Sequence, residues 1–407
     1  MWAEGLLQLS RRTLAAVLAW GPLTLAAMPG GFDADALDAA PPWSLGGVAQ
    51  GRILHVREAQ RSALSLLQSN LRLQLEQGEG AGPRLVAHAE AEQLQALGDA
   101  TLPGFVSAPL SADRVAPLTR TRQGSRQHSR LGLDWLYLQG TGQGASAGLR
   151  YTLGRQPIAH SLGRLWSPVD TFAPFHPADL ERLYKPGVDA AQLSLALPDD
   201  LEWSSVASAQ RYGASSAQDW HWNWQHRLKA DVRWGKLAVQ LGQRQALQLL
   251  GLGLQVNDLL GSDWYAESLW HRSRDGAEPR QGTRSVIGLS RRLGQDISGT
   301  LELFHQTRAG ASASLLGAAP LDLPSMGPGR SYLGLAINAQ PEPRLGLDLL
   351  WLANLSDHSS ALTAALAYTP LPDLKLRLSL SLPASGGALS EYRSAGQLLQ
   401  LGLQWFF

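Results

Sequence analysis

Residues 397–407 read QLLQLGLQWFF, and their alternation decides the fold. In an extended strand Leu399, Leu401, Leu403, Trp405 and Phe407 share one face, while Gln400, Gly402, Gln404 and Phe406 share the other. The first face is wholly apolar. A soluble sheet can turn such a face to a core, but chain termini normally sit in water, so a last strand tipped with aromatic residues points to an apolar surrounding.

Working back from that strand, dyad-period segments of about ten residues recur along the chain, the pattern expected of a transmembrane β-barrel. Leu374, Leu376, Leu378, Leu380 and Leu382 oppose Lys375, Arg377, Ser379 and Ser381; before them come Leu362, Ala364, Leu366 and Tyr368, and then Leu345, Leu347, Leu349 and Trp351. Upstream, Leu228, Ala230, Val232 and Trp234 oppose Lys229, Asp231 and Arg233, and Leu193, Leu195 and Leu197 oppose Gln192 and Ser194. Leu131, Leu133, Trp135 and Tyr137 form one expected apolar face against Arg130, Gly132 and Asp134, and Leu71, Leu73 and Leu75 another against Asn70, Arg72 and Gln74. The expected fold class is all-β: a transmembrane antiparallel up-and-down barrel of about eighteen strands, with about sixteen as the fallback.

Both ends of such a barrel lie on the periplasmic side, so short turns there should alternate with longer outer loops. Counted back from Phe407, long connections fall at 384–394, 308–330, 272–283, 157–187 and 95–129, all on the outer side. Tight ones at Thr369–Pro372, Gln340–Pro343, Leu293–Ile297, Gly235–Lys236 and Pro198–Asp200 fall on the periplasmic side. A soluble sandwich has no reason to obey that alternation.

Composition agrees. Among 407 residues there are 42 Gly, 14 Trp and no Cys, with 17% charged residues and a net charge of +1. The absence of cysteine rules out disulfides and thiolate metal sites and suits an oxidising periplasm; near-neutral charge argues against nucleic-acid partners. Arg11 and Arg12 followed by an apolar run from Thr13 to Ala27 have the layout of a secretory signal peptide, too short to span a bilayer. The expected organisation is a signal peptide over 1–28 for export by the Sec route, a lead-in over 29–42, and a barrel over 43–407. No run of 18 apolar residues follows residue 28, so only a closed barrel could span a membrane.

One segment breaks the pattern. PIAHSLGRLWSPVDTFAPFHPADLERLYKP, 157–186, holds five prolines, the charged residues Arg164, Asp170, Asp179, Glu181, Arg182 and Lys185, and the apolar Leu165, Trp166, Phe172, Phe175 and Leu183. Proline at that density opposes helix and ladder alike, yet those side chains are costly to leave in water. The expectation is a loop folded inward on the lumen wall, making a pore constriction from Arg150, Arg164, Asp170, Arg182 and Lys185. Salt bridging between its acids and Arg182 or Lys185 is favoured over calcium binding or acid–base chemistry.

Two resemblances sharpen this reading. Gln400, Gly402, Trp405 and Phe407 resemble the carboxy-terminal membrane-insertion signal of Gram-negative outer-membrane barrels. Gly154–Asp189, with Asn354-Leu355-Ser356-Asp357 and Ser390-Glu391-Tyr392, resembles a large group of proteobacterial porin-like barrels, although Ala159-His160 stands where that group has a Trp-Gly pair. The resemblance implies the barrel fold and an outer-membrane location; the closed, alternating barrel with a polar inner face leads to the expectation of a channel for passive or gated passage of small polar solutes, with outer-membrane lipid and the barrel-assembly machinery as partners and a homo-oligomer compatible with it. The alternatives are a plugged accessory barrel of an export or assembly system and a lipid-modifying enzyme. None of the ten His stands in a nucleophile motif, and His221, His226 and His305 read as strand residues facing the lumen or the interface. Neither enzymatic activity nor a cofactor or metal is expected. By parity ten lumen-facing cations, including Arg72, Arg130, Arg244 and Arg377, stand against seven anions, including Glu90, Asp134 and Glu302, which implies a weak anion preference.

Replacing Trp405 and Phe407 by Ser is expected to leave the chain stalled in the periplasm and degraded. The check is heat-modifiable migration of the membrane fraction; normal barrel assembly in that double variant contradicts the insertion-signal reading.

Overall fold

The computed structural model describes residues 43–57, 63–78, 82–98, 101–102, 114–116, 118–142, 148–178, 183–212, 219–244, 247–273, 281–307 and 326–407. The expected signal peptide, lead-in and Arg182 lie outside the described residues. The strands are β1 (Trp43–Arg57), β2 (Leu64–Gln77), β3 (Arg84–Ala96), β4 (Thr119–Gln123), β5 (Gln127–Thr141), β6 (Leu149–Gln156), β7 (Val188–Leu197), β8 (Leu201–Tyr212), β9 (Asp219–Val232), β10 (Gly235–Arg244), β11 (Leu247–Leu259), β12 (Ser262–Ser273), β13 (Gln281–Arg292), β14 (Ile297–Gln306), β15 (Ser331–Glu342), β16 (Leu345–Asn354), β17 (Ser359–Leu371), β18 (Leu374–Ser385) and β19 (Gln397–Phe406). One short helix, α1 (Glu391–Ala395), precedes β19.

Successive strands pair antiparallel, and β1 pairs with both β2 and β19, so the sheet closes on itself. β4 stands apart, pairing only with the edge of β5 that the short β6 does not reach. The other eighteen strands form the closed barrel, as the periodicity implies. Tight turns such as 198–200, 260–261 and 372–373 gather at the end that carries Trp43 and Phe407; the long connections gather at the other. We call these the turn end and the loop end.

The wall is inside-out. Leu237, Val239 and Leu241 on β10 are exposed, while Ala238 and Gln240 between them, and Arg244 beyond them, are buried. Exposed leucines recur around the outer surface, as at Leu347, Leu349, Leu366, Leu378 and Leu401, while Arg72, Glu92, Gln225, Glu302 and Gln404 are buried on the inner one. This order is stable only where the outer solvent is hydrocarbon and the inner face finds polar partners.

Two local expectations are corrected. Between His88 and Ala89 the β3–β5 register shifts, leaving Asp134 as an extra residue. That bulge flips the parity beyond it. Leu131 and Leu133 do face outward, but Trp135 turns into the lumen, where it stacks on His88 with ring centroids 4.2 Å apart and meets Tyr137 at 6.4 Å. Leu136 and Leu138 take the outer face instead. Second, the β9–β10 turn is Arg233–Trp234, and Gly235 already pairs with Val232. Glycine is required at 235 because a Cβ there would overlap the backbone carbonyl of Gln255.

The terminal stretch closes the seam. Gly47 and Phe407 exchange backbone hydrogen bonds of 2.7 and 3.0 Å, and Trp405 and Phe407 face outward at the turn end with rings 5.1 Å apart. Gln400 and Gly402 lie on the lumen side, Gly402 in register between Arg52 on β1 and Arg377 on β18. A Cβ at Gly47 would lie 2.5 Å from the Arg72 carbonyl and 2.6 Å from the Phe407 ring. Gly47→Val is therefore expected to displace that ring and weaken the seam by roughly 1–3 kcal/mol, read as a lower urea midpoint for loss of the heat-modifiable form.

Candidate functional site

The segment between β6 and β7 lies inside the lumen. Gln156, the last residue of β6, donates from its side chain to the carbonyls of Thr152 and Ala190 at 3.1 and 2.9 Å, capping the strand end. The prolines that follow cannot continue a ladder, and the chain leaves the wall for the lumen.

Two wall carboxylates hold it there. Glu302 on β14 accepts hydrogen bonds from three successive backbone amides, Arg164 at 2.6 Å, Leu165 at 3.0 Å and Trp166 at 2.9 Å, and from the Tyr265 hydroxyl at 2.6 Å. Glu267 on β12 accepts from the Leu162 amide at 2.6 Å, the Gly163 amide at 3.3 Å and the Ser161 hydroxyl. Buried carboxylates need such donors, and charge-assisted bonds of this kind are the strong ones. Gln240 donates to the Val169 carbonyl at 3.0 Å and the Thr171 hydroxyl to Gln225 at 3.2 Å.

Apolar contacts fill the spaces between these ties. Trp166 stacks on Phe304 at 5.8 Å and 13° and packs with Leu165, Met326, Tyr332, Leu350 and Leu352. Gly334 makes the room, since a Cβ there would lie 2.5 Å from Leu165 and 2.8 Å from Trp166. Val169 packs on Leu247, Leu249 and Leu269, and Phe172 joins Ile158, Val188 and Val206. At the segment's far end Lys185 pairs with Asp170 and donates to the Ile158 carbonyl at 2.7 Å. The Trp135 indole donates to the Lys185 carbonyl at 2.9 Å, and the Arg72 guanidinium lies 4.3 Å from the Tyr184 ring centroid. The segment thus touches the wall from β2–β5 round to β10–β15.

Two further inward pieces brace it. Met326 joins the Trp166 cluster, and Tyr392 of α1 packs against it. Glu391 accepts from Asn354 and from the Tyr332 hydroxyl, each at 2.8 Å, while its amide donates to Asp357 at 2.8 Å. The stretches Asn354–Asp357 and Ser390–Tyr392, singled out in the sequence, therefore meet in one hydrogen-bonded cluster. Burial pushes the Glu391 carboxyl up; at Asp357 burial acts the same way, but the bonds from Glu391 and Ser359 outweigh it and hold the carboxyl down.

Of the expected constriction residues, Arg164, Asp170 and Lys185 are brought into this assembly. Arg150 is not: it follows the turn-end connection of β6, half exposed, and pairs with Glu202 at 2.5 Å. The inward segment leaves from the opposite end of β6, which separates the two. The anchors Glu267 and Glu302 were not foreseen in that role. Glu302 is flanked in register by Gly288 and Gly334, and Glu267 faces Gly253, so each acid stands in a clearing that only the strand register reveals.

Glu302→Leu leaves three amides and a hydroxyl without their acceptor, a loss on the order of 3 kcal/mol. The amides of residues 164–166 are expected to exchange with deuterium about a hundredfold faster in that variant, with a larger and noisier single-channel conductance.

No protein-family model matches the chain, and no curated protein sequence does. Solved structures do match. OccK2 (OpdF) of Pseudomonas aeruginosa in complex with glucuronate aligns with a TM-score of 0.57 at 13% identity, over 90% of this chain and 97% of that one. OpdK of Pseudomonas aeruginosa with vanillate gives 0.57 at 12% identity, over 89% and 98%, and OccAB4 of Acinetobacter baumannii 0.56 at 8%, over 90% and 98%. At these identities the likeness is one of fold: this chain shares the closed barrel of those proteins along nearly its full length.

Proposed function

We propose that the protein is an outer-membrane channel of Gram-negative type, with a polar lumen narrowed by an anchored inward segment and passing small polar solutes with a weak anion preference. The observation that carries this reading is the inside-out wall: an apolar exterior around a lumen lined with Arg, Glu, Gln and Ser. The solved neighbours carrying glucuronate and vanillate support solutes with a carboxylate. The preference is weak because the lumen charges pair off, Arg72 with Asp134 at 2.5 Å, Arg130 with Glu92 at 2.7 Å and Arg377 with Asp348 at 3.0 Å, and salt screens what remains beyond about 8–10 Å.

One observation bears on the enzyme alternative. His305 and Ser331 stand 2.9 Å apart on the outer surface near the loop end, and so do His55 and Ser65. A hydrolase needs an orienting group on the imidazole and an oxyanion hole. Among the described residues no acid or amide side chain bonds the His305 ring, and the Ser331 amide is already given to the Ser356 hydroxyl at 3.1 Å. These pairs read as cross-strand hydrogen bonds, and the channel reading stands ahead.

Arg227 is the most informative position. It lies in register between the buried Ser204 and Gln240, with its charge in reach of Glu267, Glu202 and Asp170. In planar bilayers the intact protein is expected to conduct in steps and to show a small anion-selective reversal potential in a salt gradient. Arg227→Glu should carry it to cation preference. A barrel that never conducts would sink the proposal in favour of a plugged accessory role.

A further inference from the structure

The hairpin of β4 and β5 carries more positive charge than its surroundings use. Between positions 114 and 133 stand five arginines and no acid. Arg114 pairs with Asp134, Arg130 with Glu92, and Arg126 donates to the Gly98 carbonyl. Arg120 and Arg122 are exposed, and among the described residues no acid pairs with either. In register Arg120 lies across from Leu131, and Arg122 across from Ser129. Directly opposed residues share a face of the sheet, and Leu131, 61% exposed, faces outward. Both arginines therefore project from the outer side of the wall, away from the lumen.

Their height matters as much as their charge. Leu131 is ten positions from the turn end of β5 at Thr141, which at about 3.3 Å per residue and a tilt of about 40° is roughly 25 Å along the barrel axis, the full height of an apolar band. The outward positions change character at this level. On β3 Ala87, Ala89 and Ala91 give way to Gln93 and Gln95, and on β5 Leu133 and Leu131 give way to Ser129 and Gln127. Gln93 faces Ser129 in register, so Gln93, Ser129 and Arg122 form one polar row just above the apolar surface. Below that row the three alanines leave a trough along β3, between Leu71, Leu73 and Leu75 on β2 and Leu131 and Leu133 on β5. Beside it lies a groove of about 410 Å³ lined by Ala89, Leu118, Leu131 and Leu133, with Arg120 on its rim. A comparable outward groove around Ala364, between Leu347, Leu349, Leu366 and Leu378, has no cation among its lining residues.

We propose that this sector is a binding site for one phosphate-bearing lipid of the outer leaflet. An acyl chain lies in the alanine trough and its groove, and the headgroup phosphate meets Arg120 and Arg122. Those two residues are neighbours on one face of β4, about 7 Å apart, so a single phosphate is within reach of both, with Ser129 and Gln93 as further donors. A guanidinium is a rigid fork that matches phosphate oxygens, and charge-assisted bonds of this kind are the strong ones. Cations at the polar edge of the apolar band, left without an acid by the protein, are complementary to an anionic headgroup. The proposal rests on the membrane-embedded reading above and not on conduction.

The test takes the purified full chain in mild detergent, with phosphatidylglycerol as the probe and native mass spectrometry to count the lipid retained. One phosphatidylglycerol per chain should be retained, and diacylglycerol, which lacks the phosphate, should not. Arg120→Ala with Arg122→Ala should weaken retention at least tenfold, whereas Arg272→Ala, at an exposed loop-end cation of β12, should leave it unchanged. Ala89→Phe, or the milder Ala91→Leu, fills the trough and should weaken it as well, with heat-modifiable migration reporting that each variant barrel is folded. Retention indifferent to the two arginines overturns the proposal, as does equal retention of diacylglycerol. So does binding that ignores both trough variants and is displaced by inorganic phosphate, because the site then takes a free anion. Normal conductance alongside any of these refutes the lipid site alone, and a barrel that retains the lipid but never conducts refutes the channel alone.

Discussion

A sheet in hydrocarbon can leave no edge, because each unpaired backbone group there costs several kcal/mol. That constraint organises the rest of the molecule. It requires β1 to find β19, and the seam between them is closely fitted: Gly47 stands under the terminal ring, and Gly402 lies in register between Arg52 and Arg377. Glycine in a terminal strand is readily taken as a recognition mark alone. Here it also stands in register between two cationic residues of the lumen wall.

Closure creates the second problem, an interior lined with polar groups that need partners. The inward segment supplies them. Its backbone amides answer Glu267 and Glu302, and its Val169 carbonyl answers Gln240. In return the wall offers apolar clearings around Phe304, Leu247 and Val206 for the side chains that cannot sit in water. Burying residues the size of Trp166, Val169 and Phe172 contributes about 1.5–3 kcal/mol each. Wall and segment therefore share one core.

Most of the fold was legible because a barrel strand writes its environment at a period of two, and the closed wall repeats that pattern. It failed where a single residue was inserted. No feature of DWLYL announces that Asp134 is extra, and once it is, Trp135 and Tyr137 exchange faces with their neighbours. Composition also located the inward segment, since proline and buried aromatics cannot both be satisfied in a wall. Its anchors were harder to find. Glu302 could be placed on the lumen face by parity, but its task depends on glycines in β13 and β15, contacts between strands that linear order does not display. Arg150 is near the inward segment in sequence and shares the lumen parity, but the two ends of β6 lie at opposite ends of the barrel.

The bonds by which Glu267 and Glu302 hold the inward segment span 104 to 138 residues of sequence. Residues 161–166 cannot be captured until β12 and β14 stand in the wall, and the bracing cluster around Glu391 waits for α1, just ahead of the final strand. Long-range contacts of this kind form late because loop closure has to precede them. The width of the lumen is consequently a late product of assembly: an immature barrel is a wider hole than the finished one, and the step that closes the sheet also completes the restriction on leakage through it.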